Sequence, residues 1–289
     1  MIMKISCTDL HRNRAGLRLV IIFLIIRHAS CFGYVMGDDD RMPVNQYESA
    51  IPEIMQTGMI KIQDGTYLTG LLTGANCDVV ISAGHAAVYW KSNAGKGQRK
   101  GQLRDNGQFQ FYPEPAISMN HISMELVETG YHKAEDIESD QYDWSVFRLQ
   151  TPVSGECKNV EYMEYAKTCQ GQTLMPGFHF DRPDTRMIDR TCQIKDTVDK
   201  KLLLHNCDTK DGSSGAPLLC LDQSGISIHG INISGLTKKG YFDPGVYGMR
   251  GRMFNYKNHK NYAIAIHGRF LEVLKDELQR SKQRMLKTW

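Results

Sequence analysis

Apolar residues in this chain come in short runs broken by turn-forming residues, and that rhythm points to β-structure. Met59 to Ile62, Tyr67 to Leu72 and Val79 to Ser82 are separated by Asp64-Gly65 and by Gly74-Ala75-Asn76. Runs of about four to eight residues bounded by Gly, Asn and Asp read as hairpin-connected strands. The rhythm returns late in the chain. Leu218 to Leu221, a turn at Asp222 to Gly225, and Ile226 to Ile231 form a second hairpin pattern, with a further strand at Tyr262 to Ile266. Strands in both halves predict an all-β chain of two small antiparallel barrels, the closed arrangement that covers sheet edges. The first barrel is expected over residues 42–150 and the second over 151–289. One segment has a different period: Phe270, Leu274 and Leu278 lie four apart among charged residues, which predicts an amphipathic helix from Arg269 to about Arg284. Its narrow apolar face suits packing onto the barrels rather than a membrane. The stretch from Lys91 to Asp140 is polar, and its register is not assignable from pattern.

The amino terminus stands apart. Leu19 to Ile26 is an unbroken apolar run, preceded by Lys4, Arg12, Arg14 and Arg18 and followed by Ala29, Ser30 and Gly33. This is the layout of a secretory signal peptide, expected over residues 1–33, and the run is too short to span a bilayer. Secretion, extracellular or periplasmic, is therefore the expected localisation. Net charge is +3, but residues 1–41 hold six Lys/Arg against four Asp, which leaves +1 for the rest. That balance gives no reason to expect nucleic-acid or membrane-surface binding in the mature form. Of eight cysteines, Cys7 and Cys31 fall in or beside the signal, leaving Cys77, Cys157, Cys169, Cys192, Cys207 and Cys220. An even count in an exported chain favours disulfides, and none of the spacings makes a metal knuckle. No metal is expected. Counting alone leaves the pairing open.

Acyl transfer at a peptide bond needs a nucleophile, a base, a carboxylate to orient the base, and donors for the oxyanion. Ser214 lies in Asp211-Gly212-Ser213-Ser214-Gly215-Ala216-Pro217, small residues that let the backbone turn sharply and aim its N–H groups. In such a loop the amides of Gly212 and Ser214 are expected to donate to an oxyanion. His85 ends the strand-like run Val79 to Ala87, and Asp143 opens Asp143-Trp144-Ser145-Val146. Singly, each has an ordinary reading as a turn, cap or core residue. In the order His, Asp, Ser at barrel-sized spacing they are far more specific.

With these residues the sequence resembles the chymotrypsin-like (trypsin-like) serine peptidases, and within them the glutamyl endopeptidase branch. Ser82-Ala83-Gly84-His85 resembles the histidine box, Asp143-Trp144-Ser145-Val146 the aspartate box, and Gly212 to Pro217 the serine box. The resemblance implies two Greek-key barrels, a secreted serine endopeptidase working through an acyl-enzyme, and a triad of His85 as base, Asp143 as orienter and Ser214 as nucleophile. It also implies Cys192 with Cys207 and Cys169 with Cys220, which leaves Cys77 with Cys157 by elimination. Protein or peptide substrates, a monomer and no cofactor go with it. The alternative from another class is a non-catalytic homologue that binds a partner through the same barrels.

Two departures bear on maturation and specificity. Ser213 stands where trypsins carry the Asp that pairs with a new amino terminus, so no trypsinogen-type switch is expected. Asp38-Asp39-Asp40-Arg41 is a polar segment expected to be exposed, with residues 34–41 a possible pro-segment of a zymogen cut after Arg41. Asp208 precedes Ser214 by six positions, where trypsins select Lys or Arg. Thr209 and His229 instead match positions that glutamyl endopeptidases place around a substrate carboxylate. An ionised Asp208 in the same pocket would repel that carboxylate. The expectation is that Asp208 points elsewhere and that cleavage follows Glu or Asp, with Lys/Arg cleavage as the alternative. Asn232-Ile233-Ser234 is a glycosylation sequon.

Overall fold

A computed structural model describes residues 38–92, 99–104, 108–114, 120–131, 140–155, 157–158, 160–164, 167–198, 200–235 and 261–288. The signal segment and the amino-terminal part of the possible pro-segment lie outside the described residues. The first strands are β1 (Met42–Pro43), β2 (Thr57–Ile62), β3 (Tyr67–Thr73), β4 (Val79–Ser82), β5 (Val88–Ser92), β6 (Arg99–Leu103), β7 (Phe109–Tyr112), β8 (Ile122–Thr129) and β9 (Ser145–Leu149). They are followed by β10 (Glu161–Tyr162), β11 (Gln172–His179), β12 (Arg182–Asp189), β13 (Ile194–Val198), β14 (Leu202–His205), β15 (Pro217–Asp222), β16 (Gly225–Gly235) and β17 (Asn261–Ile264). A one-turn helix α1 (Pro52–Met55) precedes β2, and α2 (Gly268–Thr288) ends the fold.

Six strands close a barrel in the order β2-β3-β4-β9-β8-β7, a Greek-key route in which the chain leaves β4 and returns beside it as β9. A barrel this small is filled by its own side chains. Phe109, Phe111, Phe147, Ile60, Val80 and Met124 occupy its interior, with the Phe109 and Phe147 rings 5.0 Å apart and tilted. The second half is a nine-stranded sheet in the order β1-β12-β11-β15-β16-β17-β14-β13, with β10 joining β16 in parallel. β5 and β6 form a separate hairpin. The architecture is the chymotrypsin-like two-barrel fold. Among the described residues three disulfides are present: Cys77–Cys157, Cys169–Cys220 and Cys192–Cys207, spanning 80, 51 and 15 positions. Cross-links of such loops stabilise by about 3 to 5 kcal/mol each where chain entropy dominates.

The terminal helix runs slightly beyond the expected Arg269 to Arg284. Phe270, Val273 and Leu274 are buried in a core shared with β4, β9 and the second sheet, and the Phe270 ring stacks on Trp144 at 4.9 Å. Farther along, the docked face becomes polar. Ser281 Oγ donates to Asp78 Oδ1 at 2.5 Å and Arg284 Nε donates to Asp78 Oδ2 at 2.6 Å. Buried Glu277 pairs with Arg284 at 2.9 Å. Burial alone would raise the Asp78 carboxyl, but hydrogen bonds from Arg284, Ser281 and Asn76 outweigh it and hold it below the ordinary carboxylate range. No helix among the described residues is long and apolar enough to cross a membrane.

The segment before the first barrel differs from its expected exposure at one residue. Asp38 to Asp40 face solvent, but the Arg41 side chain is fully buried. Its guanidinium grips Asp39 at 2.7 Å and Asp181 at 2.8 Å. Met42 then pairs with Ile188 in β12. Three carboxylates beside an arginine read as a solvated tip, but the long-range partner Asp181 could not be seen from local composition.

Candidate active site

β4 and β9 are neighbours in register, Ser82 opposite Ser145, so the residues just past one and just before the other emerge at the same end of the barrel. His85 leaves β4 through a 3-10 turn at Gly84–Ala87, and Asp143 leads into β9. Ser145 Oγ donates to Ala83 O at 2.8 Å, tying the two loops together. The Asp143 carboxylate accepts the His85 backbone N–H at 2.7 Å, and His85 Nδ1 lies 2.9 Å from Asp143 Oδ2. An ionised carboxylate only accepts, so the proton sits on Nδ1 and Nε2 carries the lone pair of the neutral ring. Gly84 permits the approach. A Cβ there would lie 2.6 Å from Trp144 N and 2.8 Å from Trp144 O.

The loop that carries Ser214 is pressed against the same barrel. Thr69 N–H of β3 donates to Ser214 O at 2.8 Å, and Thr69 Oγ1 donates to Gly212 O at 2.9 Å. Gly215 adjoins Ser214 with φ +88°, and a Cβ on it would overlap Thr69 O and Ser82 Oγ. Ser82 stands three residues before His85, so this contact brings the serine loop to the mouth of β4. Two carbonyls of the loop have fixed partners. Asp211 O accepts from Phe180 N at 2.6 Å, and Ser213 O accepts from Ala216 N at 2.9 Å and from Asn232 Nδ2 at 3.0 Å. In a trans peptide the N–H opposes the C=O, so these bonds aim the amides of Gly212 and Ser214 away from those partners.

Asn232 is the member of the site that sequence reasoning missed. It is buried in β16, exchanges backbone bonds with Gly215 and Ala216, and holds Ser213 through its amide. Its Oδ1 lies 3.2 Å from Nε2 of buried His205, whose titration burial pushes down to about 3, so the neutral ring donates this bond. With both ends of its amide in use, Asn232 of the sequon is not accessible to a glycan in the folded chain.

His229 lines a hollow to which the described residues of the Ser214 loop do not contribute. Leu218 and Leu219 are consecutive on β15, yet their partners on β16 are Gly230 and Ile228. His229 is the extra residue of a β-bulge. Its Nδ1 donates to Lys167 O at 3.0 Å, it lines a hollow with Lys167 and Asp222, and burial lowers its pKa. The place beside the nucleophile loop that was expected of His229 belongs to Asn232. Thr209 is fully buried next to the loop. Asp208 Oδ2 accepts the backbone N–H of Asp40 at 2.9 Å, and its own N–H donates to Asp189 Oδ2 at 2.7 Å.

No protein-family model and no curated protein sequence matches this chain. Solved structures do. A Glu endopeptidase crystallised with MPD is 18% identical with a TM-score of 0.56, covering 85% of this chain and 100% of the other. Protease Anisep from Arthrobacter nicotinovorans is 15% identical with a TM-score of 0.50, covering 77% and 94%. At these identities the likeness establishes the fold.

Proposed function

We propose that the protein is a secreted serine endopeptidase in which Ser214 Oγ attacks the scissile carbonyl, His85 Nε2 takes its proton, and Asp143 holds the imidazole in the required tautomer. The observation that carries this reading is the two-point grip of Asp143 on His85, through Nδ1 at 2.9 Å and the backbone N–H at 2.7 Å. Collapse of the tetrahedral intermediate leaves an acyl ester on Ser214 and passes the proton from His85 to the departing amine; water then repeats the sequence. Gly212 and Ser214 N–H groups serve the oxyanion. Ser214→Ala, His85→Ala and Asp143→Asn should each lower turnover by on the order of 10⁴ without additivity. Retention of fluorophosphonate labelling by Ser214→Ala would refute the assignment and favour a binding module.

Cleavage after Glu or Asp is the proposed preference. Its support is that Asp208 is buried with its Oδ2 taken by the Asp40 N–H, which weakens the feature that argued for Lys or Arg, and that Thr209 stands by the loop with a hydroxyl. His229 no longer contributes, and His229→Ala should leave the preference unchanged. The measurement is the kcat/KM ratio for matched Glu and Arg peptides, repeated in Asp208→Asn. An Arg preference that collapses with that substitution would replace the acidic reading with the tryptic one.

A further inference from the structure

Beside the nucleophile loop, on the side of β3, lies an aromatic pair that the proposed reaction does not use. Phe180, in the turn between β11 and β12, is 67% exposed and stacks on Tyr67 with centroids 5.5 Å apart and planes 3° from parallel. A Cβ on Gly212 would lie 3.1 Å from the Tyr67 ring and 3.2 Å from Phe180 N, so the pair abuts the glycine assigned to the oxyanion site. Asn232 and β16 flank the loop on one side, through Gly215 N; Tyr67 and Thr69 of β3 flank it on the other, through Ser214 O. A peptide crossing Ser214 with its acyl half toward β16 lays the residues after the scissile bond across Phe180 and Tyr67.

The rim of this platform is acidic. Asp181, Asp184 and Asp211 all act on the Tyr67 phenol, which burial first and these carboxylates second push up to about 12. Cations are present too: Arg41 and Lys210 both face Asp181, Arg41 also pairs with Asp39, and Arg182 lies nearby. Four carboxylates against three cations leave the rim net negative. A large exposed ring under an anionic rim suits a cation that can lie flat on it.

Building on the peptidase reading, we infer that Phe180 and Tyr67 form a binding site for a basic side chain, Arg or Lys, on the leaving-group half of the substrate. The site is read best through the acyl-enzyme, where the acyl half is constant. An ester substrate acylates Ser214, and added dipeptide amides compete with water. The acceptor amine forms an amide with the acyl carbon, the Ser214 ester bond breaks, and the amine proton passes through His85 to Ser214 Oγ. Acceptors with Arg at the first or second position should capture the acyl group at least about 5-fold better than those with Asp, a cation–π and charge effect of ordinary size. The preference, read as the ratio of Arg to Asp capture within each variant, should shrink severalfold in Phe180→Ala and in Asp184→Asn, and weaken with salt. Equal capture of Arg, Asp and Leu acceptors, or a Leu preference insensitive to Asp184→Asn, would overturn the inference with the peptidase reading intact. Absence of any acyl-enzyme would overturn both.

Discussion

Replacing Gly84 by alanine tests how closely the proposed mechanism depends on the packing of two loops. Gly84 has ordinary backbone angles, so the added methyl is the whole perturbation. The methyl carbon would sit 2.6 Å from Trp144 N and 2.8 Å from Trp144 O, both backbone atoms that cannot rotate away. Restoring an ordinary contact of 3.4 Å requires the loops to part by about 0.8 Å. Trp144 follows Asp143 directly and is held from behind by the Phe270 ring at 4.9 Å, so the movement falls on the His85 turn. Added to the 2.9 Å between His85 Nδ1 and Asp143 Oδ2, that displacement takes the contact beyond hydrogen-bond range. A misplacement of this size costs about 10²-fold in rate, and full loss of the orienting carboxylate about 10⁴-fold. Gly84→Ala should therefore lose about 10² to 10⁴ in kcat with a smaller change in KM, at a stability cost of about 1 to 3 kcal/mol. Steady-state kinetics beside a thermal melt decides it. A folded Gly84→Ala protein with wild-type kcat would refute the argument that this contact sets the His–Asp geometry.

Two further outcomes follow from polar side chains held in hydrogen bonds. Asn232→Ala leaves buried His205 Nε2 without its acceptor and takes one of the two donors from Ser213 O, so a stability loss of about 1 to 3 kcal/mol and a fall in kcat of roughly 10-fold or more are expected; wild-type values for both would contradict the role given to this amide. Hydrogen bonds from Arg41 hold the Asp39 carboxyl at about 2, below its ordinary 3.8, so its contribution is present above pH 3.8 and is lost as pH falls through about 2. Thermal melts between pH 4 and 2 should lose stability more steeply in the wild type than in Asp39→Asn, and parallel curves would count against the Arg41 clasp.

Much of the strand framework was legible in the sequence. Met59 to Ile62, Tyr67 to Leu72 and Val79 to Ser82 fall within β2, β3 and β4, because their apolar residues are confined by turn residues that leave the chain few other choices. Leu218 to Leu221 falls within β15 for the same reason. The terminal helix was legible from its period. The strands between Lys91 and Asp140 were not: β7 and β8 gain their identity from their barrel neighbours β2 and β9, and β6, largely polar, pairs with β5 in a separate hairpin. His85, Asp143 and Ser214 could be chosen as chemistry because each sits at a strand end or in a run of small residues. The setting of His229 was not legible, for a definite reason. Counting residues from Ser214 works only while paired strands advance together, and the bulge at His229 breaks that count. Asn232 drew notice only as a sequon, although an amide set between Ile231 and Ile233 in a strand already signalled a buried hydrogen-bonding role.

The order of synthesis matters for a protein whose terminal helix buttresses Trp144 and closes over Asp78. At about 5 to 20 residues per second, Phe270 is made roughly 6 to 25 s after Asp143. Until then the residues of the first barrel are without the ring behind the aspartate loop and without the Arg284 and Ser281 donors for Asp78, which lie over 200 positions downstream. The brace behind the aspartate loop of the proposed peptidase is thus supplied by the last part of the chain to be made.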